Sequence, residues 1–127
     1  MKIAVVNSTP LIYLSKASAI HLLYLLYNEI LIPKAVYYEV VIEGLKRGFN
    51  DAIKINKAIR EGKITVLKAS GKVVEKIIEL APNIDVGEAE VLALALTRQP
   101  CHVIIDDKPA RLLAKTLGLK VHGTIYI

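Results

Sequence analysis

The sequence predicts an α/β fold in which a central parallel sheet of four to five strands is flanked by helices. Two observations predict it: short apolar runs of strand length, "IAVV", "EILIP", "KITVL", "HVIID" and "LKVHGT", and a helical segment between each run and the next. Strands separated by helices imply crossover connections, hence a parallel sheet with helices on both faces. With 127 residues and 54% hydrophobic content, residues 1–127 are expected to form one domain around one core.

Ile3 to Val6 is a continuous apolar run, as a strand covered on both faces would be. "STP" follows, with Ser8 or Thr9 able to cap a helix whose first turn holds Pro10. Helical runs are predicted around Leu11 to Lys16 and Ala19 to Tyr27. "EILIP" is the second strand, and its proline also begins a helix over Lys34 to Lys46. Asp51 to Glu61 is helical, with Ile53, Ile55 and Ile59 apolar, and "KITVL" is the third strand. Helices over Lys72 to Leu80 and over Asp85 to Arg98, the latter rich in Ala and Leu, precede the fourth strand, "HVIID". Pro109 to Leu117 is a helix ended by Gly118, and "LKVHGT" begins the fifth strand.

Composition narrows the function classes. A net charge of +5 and a pI near 9.3 suit a phosphate-bearing partner. A single cysteine, Cys101, forms no internal disulfide and fits a reducing cytoplasm. The apolar stretch from Leu11 to Ile32 is interrupted by Lys16, His21, Asn28 and Glu29, so it reads as packed helices and a strand, not a membrane span. Six Tyr against one Phe and no Trp, in so apolar a chain, points to a homodimer that covers part of this surface. Gln99 is the sole glutamine while Lys, Glu and Ile are plentiful, a bias of heat-adapted proteins.

There is no glycine-rich phosphate loop, no CxxC and no HExxH. His21, His102 and His122 are scattered among apolar neighbours and read as structural side chains. Carboxylates remain. Ligands of open parallel sheets bind beyond the carboxyl ends of the strands, where Asn7 follows the first strand and Asp106 and Asp107 the fourth. Asn7 also serves as a turn former, and Asp107 as the cap of the helix near Pro109. Glu39 and Glu43 share a helix face, repel and call for a counter-charge, with Glu39 expected to be the less exposed of the two. Glu88, three residues after Asp85, fits a capping box as well as a first-turn acid aimed into the cleft. Asp85 and Glu90 are weaker candidates.

The blocks "VVNSTPLIYLSK", "IPKAVYYEVV", "DVGEAEVLALAL" and "VIIDDKPARLLAKTLGLKVHGT", in this order and over nearly the whole chain, resemble the PIN-domain family, and within it the VapC-like toxin ribonucleases. The resemblance implies a PIN-like three-layer sandwich whose acidic cluster binds Mg²⁺ or Mn²⁺ to hydrolyse RNA phosphodiester bonds, restrained by a small antitoxin protein. By position, Asn7 stands where the family has its first aspartate, Glu39 and Glu88 are the second and third acids, and Asp106 or Asp107 the fourth. Two departures bear on activity: the amide at Asn7 implies a weakened site, and the sequence stops at "GTIYI" where relatives continue, which is expected to expose an apolar edge or to mark a missing tail.

The carboxylate chemistry stands beside the resemblance, since hard divalent cations prefer such oxygens and keep several waters. For the substrate, Lys46, Arg47, Lys54, Lys57, Arg60 and Lys63 face only Asp51 and Glu61 across their segment, and Lys54, Lys57 and Arg60 are candidate RNA contacts. Lys108, Arg111 and Lys115 form a second basic set beside the acids. Two other readings compete: a catalytically weak or inactive PIN-like module that binds RNA or a protein, and a phosphate-binding regulator, which the missing glycine-rich loop disfavours.

Overall fold

The computed structural model describes residues 2–127. Strands β1 (Ile3–Val6), β2 (Glu29–Pro33), β3 (Thr65–Leu67), β4 (His102–Ile104) and β5 (Lys120–His122) form one sheet in the order β3-β2-β1-β4-β5, with every pairing parallel. Ala4, Val5 and Val6 are fully buried, as the unbroken apolar run requires of the central strand. The chain leaves β1 towards β2 on one side and returns from β3 across the sheet to β4 on the other. The order therefore reverses between β1 and β4, the place where open parallel sheets bind their ligands beyond the carboxyl ends of the strands.

Helices α1 (Ser8–Lys16) and α2 (His21–Leu26) link β1 to β2. Asn7 is the N-cap residue of α1, but no side chain caps the helix, so the expected capping by Ser8 or Thr9 does not occur. Ser8 is already inside the helix and is buried, with its hydroxyl turned to Glu39 instead. The expected helix over Lys34 to Lys46 is continuous but changes its winding: α3 (Lys34–Tyr37) runs into a π-helical segment (Tyr38–Glu43) and then α4 (Gly44–Lys46). Val40 and Val41 of the π segment are both buried in the core.

Helix α5 (Asn50–Arg60) packs on α1 and on the π segment. Helices α6 (Gly71–Leu80) and α7 (Val86–Thr97) lead from β3 to β4, and α7 lies against β1, β2 and β4, which is why it is apolar nearly all round. Helix α8 (Lys108–Thr116) ends before Gly118, whose φ of +80° closes it in the left-handed region, and reaches β5. Strands β3, β4 and β5 are shorter than the apolar runs that predict them. A final 3₁₀ turn (Thr124–Tyr126) closes the described chain.

Candidate active site

Two of the acids, Glu88 and Asp107, are neighbours. Glu88 sits in the first turn of α7 inside a capping box: its Oε1 accepts the Asp85 N–H at 2.9 Å, and Asp85 Oδ1 accepts the Glu88 N–H at 2.7 Å. Glu88 is only 8% exposed and Asp107 stands beside it. Burial pushes the Glu88 carboxyl from its ordinary 4.5 up to about 7; the Asp85 N–H bond pulls the other way, while the charges of Asp85 and Asp107 and a hydrogen bond with Asp107 add to the rise. The capping reading of Glu88 holds: one oxygen serves the cap, and the carboxyl stands beside Asp107.

Asp106 and Asp107 part company. Asp107 Oδ2 accepts the Ala110 N–H at 3.1 Å and so caps α8, ahead of Pro109 in its first turn. Asp106 is turned to the end of the chain, where Oδ1 accepts the Thr124 N–H at 2.7 Å and Oδ2 the Thr124 hydroxyl. Both Asp106 oxygens are engaged there, and Asp107 is the member of the pair that faces Glu88.

Glu39 enters from the π segment. It is exposed, as Glu43 is. Its Oε1 nevertheless accepts the Ser8 hydroxyl at 3.1 Å, which ties it to the residue after Asn7. Glu39 and Glu43 line one recess of about 310 Å³ together with Arg47 and Asp51, and the cation that pairs with Glu43 is Lys46, at 3.7 Å. Asn7 itself is 7% exposed; its N–H donates to Ile104 O at 2.9 Å, which fastens the end of β1 to the end of β4. Its side chain is not spent on capping α1.

Among the described residues, the ion pairs are Lys46 with Glu43 and Lys63 with Glu61, so no lysine or arginine neutralises Glu39, Glu88 or Asp107. Nor does any group of three or more His, Cys, Asp or Glu side chains stand ready-made around one ion among them. Glu88 and Asp107 are brought together, Glu39 is joined to the β1 end through Ser8, and Asp106 is drawn away. Paired carboxylates with oxygen donors, a raised pKa and no basic partner are a donor set that suits a hard divalent cation, which needs only one or two carboxylates and fills its other positions with water.

The basic residues fall into two places. Lys54, Lys57 and Arg60 are exposed on α5. Lys108, Arg111 and Lys115 line, with Asn83, Pro109 and Leu112, a recess of about 610 Å³ next to the Asp107 cap.

Sequence reasoning missed the Ser8–Glu39 bond, a bond from the Ala35 N–H to Glu90 Oε1, and a histidine pair. His102 Nδ1 and His122 Nε2 lie 3.0 Å apart, and Tyr126 stacks on His122 at 3.9 Å, so these two are not scattered as expected. Strand register carried the signal: Ile104 is opposite His122, so His102, two residues earlier, projects from the same sheet face. Burial lowers both imidazole pKa values, with the neighbouring cationic groups adding to the effect, and the pair is spent on itself. Cys101 is buried, with its thiol on Ala95 O, in keeping with an inert core thiol.

No curated protein matches the chain significantly. A family model described as a PIN domain matches residues 3–127, nearly the entire sequence. PIN domains are generally nucleases, hence hydrolases, and generally use divalent metals. The all-parallel sheet, the helices flanking it and the acids at its switch point agree with that match, and the chain belongs to the PIN-domain family.

Proposed function

We propose that this chain is a metal-dependent endoribonuclease that hydrolyses RNA phosphodiester bonds with Mg²⁺ or Mn²⁺, and that it is the toxin of a toxin–antitoxin pair. The observation that carries the reading is the buried Glu88 carboxyl beside Asp107 at the β1–β4 switch point, with no basic side chain to neutralise either. A bound divalent cation would lower the pKa of a water and offset the charge of the phosphate. Glu88 and Asp107 would hold it, and the Asn7 amide oxygen would add a neutral donor. Glu39, oriented by Ser8, would add a further oxygen donor or take the proton of the attacking water as the P–O bond breaks, with the leaving oxygen protonated from solvent. No histidine is needed.

RNA would reach the acids across Lys108 and Arg111, with Lys54, Lys57 and Arg60 holding a more distant stretch of backbone. A small antitoxin protein covering the acids would restrain the enzyme. Exposed apolar residues such as Leu25, Leu80 and Leu112 support a homodimer. Residues 1–127 would act as one PIN-like domain. No described helix is long and apolar enough to cross a membrane, and the free thiol fits the cytoplasm.

The test is Mn²⁺ titration with a generic single-stranded RNA. Cleavage that appears with metal and is abolished by chelator is the expected result. Binding without cleavage at any metal concentration would favour the second reading, an inactive PIN-like module, for which Asn7 in an acid's place is the specific support.

A companion measurement addresses the α5 contacts. Neutralising Lys54, Lys57 and Arg60 together is expected to weaken RNA binding and flatten its salt dependence, each lost phosphate contact lowering the log–log slope by roughly 0.7. An unchanged slope would make them solubilising charge.

A further inference from the structure

Glu90 plays no part in the chemistry described above, yet it joins the two helical segments that carry Glu39 and Glu88. Its Oε1 accepts the Ala35 N–H at 3.1 Å, across 55 residues of sequence. That N–H belongs to the first turn of α3, where N–H groups have no intrahelical partner, and the N-cap position is Pro33, which offers no side-chain acceptor. A carboxylate there replaces the missing cap and meets the positive end of the helix.

The consequence is geometric. Helix α3 runs without a break into the π segment, so Ala35 lies one turn ahead of Glu39; on α7, Glu90 lies two residues after Glu88. We propose that Glu90 is a positioning residue: by clamping the start of α3 to α7 it fixes the spacing of the Glu39 and Glu88 carboxylates. Ser8 fixes the Glu39 side chain and Glu90 fixes the backbone that bears it. The proposal rests on the metal-nuclease reading, and it explains why a second glutamate in "GEAEV" is not spent as a ligand.

The test compares Glu90→Ala, Glu90→Gln and Glu88→Ala with the parent chain by titration calorimetry of the metal-free proteins with Mn²⁺, with melting temperature in chelator recorded beside it. Glu90→Ala is expected to weaken Mn²⁺ binding about tenfold, as loss of a supporting partner does. Glu90→Gln keeps the acceptor oxygen and is expected to restore binding to within about twofold. A Glu90→Ala protein that melts lower but binds Mn²⁺ unchanged would overturn the proposal and leave a helix cap only; so would a Gln variant as weak as Ala. If Glu90→Ala does not fold, Glu90→Asp replaces it, keeping the charge but losing the reach, and must show the weakened binding. Where Glu88→Ala also binds Mn²⁺ like the parent, the metal-nuclease reading itself falls; where Glu88→Ala alone loses Mn²⁺, only the role of Glu90 does.

Discussion

Glu88→Ala is expected to lower metal-dependent RNA cleavage by at least about 100-fold and to remove the thermal stabilisation that Mn²⁺ confers, since a buried group facing the charge of a reaction is worth roughly 3 kcal/mol or more. The expected size follows from the cost already present in the fold. The carboxyl is 8% exposed and stands against Asp107 and Asp85. A cation relieves that repulsion, and its binding is linked to proton release from Glu88, so Mn²⁺ affinity should fall as the pH drops below about 7.

The sign of the stability effect can be checked without metal. The folded carboxyl titrates near 7 and the unfolded one near 4.5, so the folded chain keeps a proton that the unfolded chain has released. Its stabilising contribution is therefore complete below pH 4.5 and lost as the pH rises towards 7. Glu88→Gln keeps the oxygen that accepts the Asp85 N–H and has no charge to desolvate. In chelator at pH 8 it should melt a few degrees higher than the parent, on the order of 1 kcal/mol, with the difference vanishing at pH 4. A Gln variant no more stable than the parent at pH 8 would mean that Glu88 is already relieved of its neighbours' charge. Retained Mn²⁺ stabilisation in Glu88→Ala would remove Glu88 from the site.

Asn7→Asp is expected to raise Mg²⁺ affinity by about tenfold or more and to raise cleavage at limiting metal. The strand end is buried at the switch point, and the amide contributes an oxygen but no charge. Two unit charges about 4 Å apart are worth up to roughly 4 kcal/mol at an effective dielectric near 20; desolvation of the new carboxylate and repulsion from Glu88 and Asp107 offset much of it. The same repulsion predicts that Asn7→Asp melts lower than the parent in chelator and higher in saturating Mg²⁺. Asn7→Ala should bind Mg²⁺ more weakly than the parent. Calorimetry and a cleavage assay that find all three alike would make Asn7 a turn former and favour the inactive-module reading.

Hydrophobic patterning alone made the sheet and the neighbourhood of the acids legible. Apolar runs of strand length separated by helices read as parallel strands, and the parallel direction puts the residues that follow β1 and β4, Asn7 and the Asp106–Asp107 pair, at the same edge. Capping chemistry was legible for the same reason, since Asp85 with Glu88, and Asp107 ahead of Pro109, satisfy orphan N–H groups within one turn of their own chain. Tertiary structure decided what local pattern leaves open. Asp106 and Asp107 are equivalent by spacing, and only Thr124, brought back by β5, draws Asp106 away from Glu88. The Ser8 bond to Glu39 and the Glu90 bond to Ala35 join residues distant in sequence. Partners at such separations are chosen by packing, because a hydroxyl or carboxylate takes whichever unmatched polar group the fold carries to it.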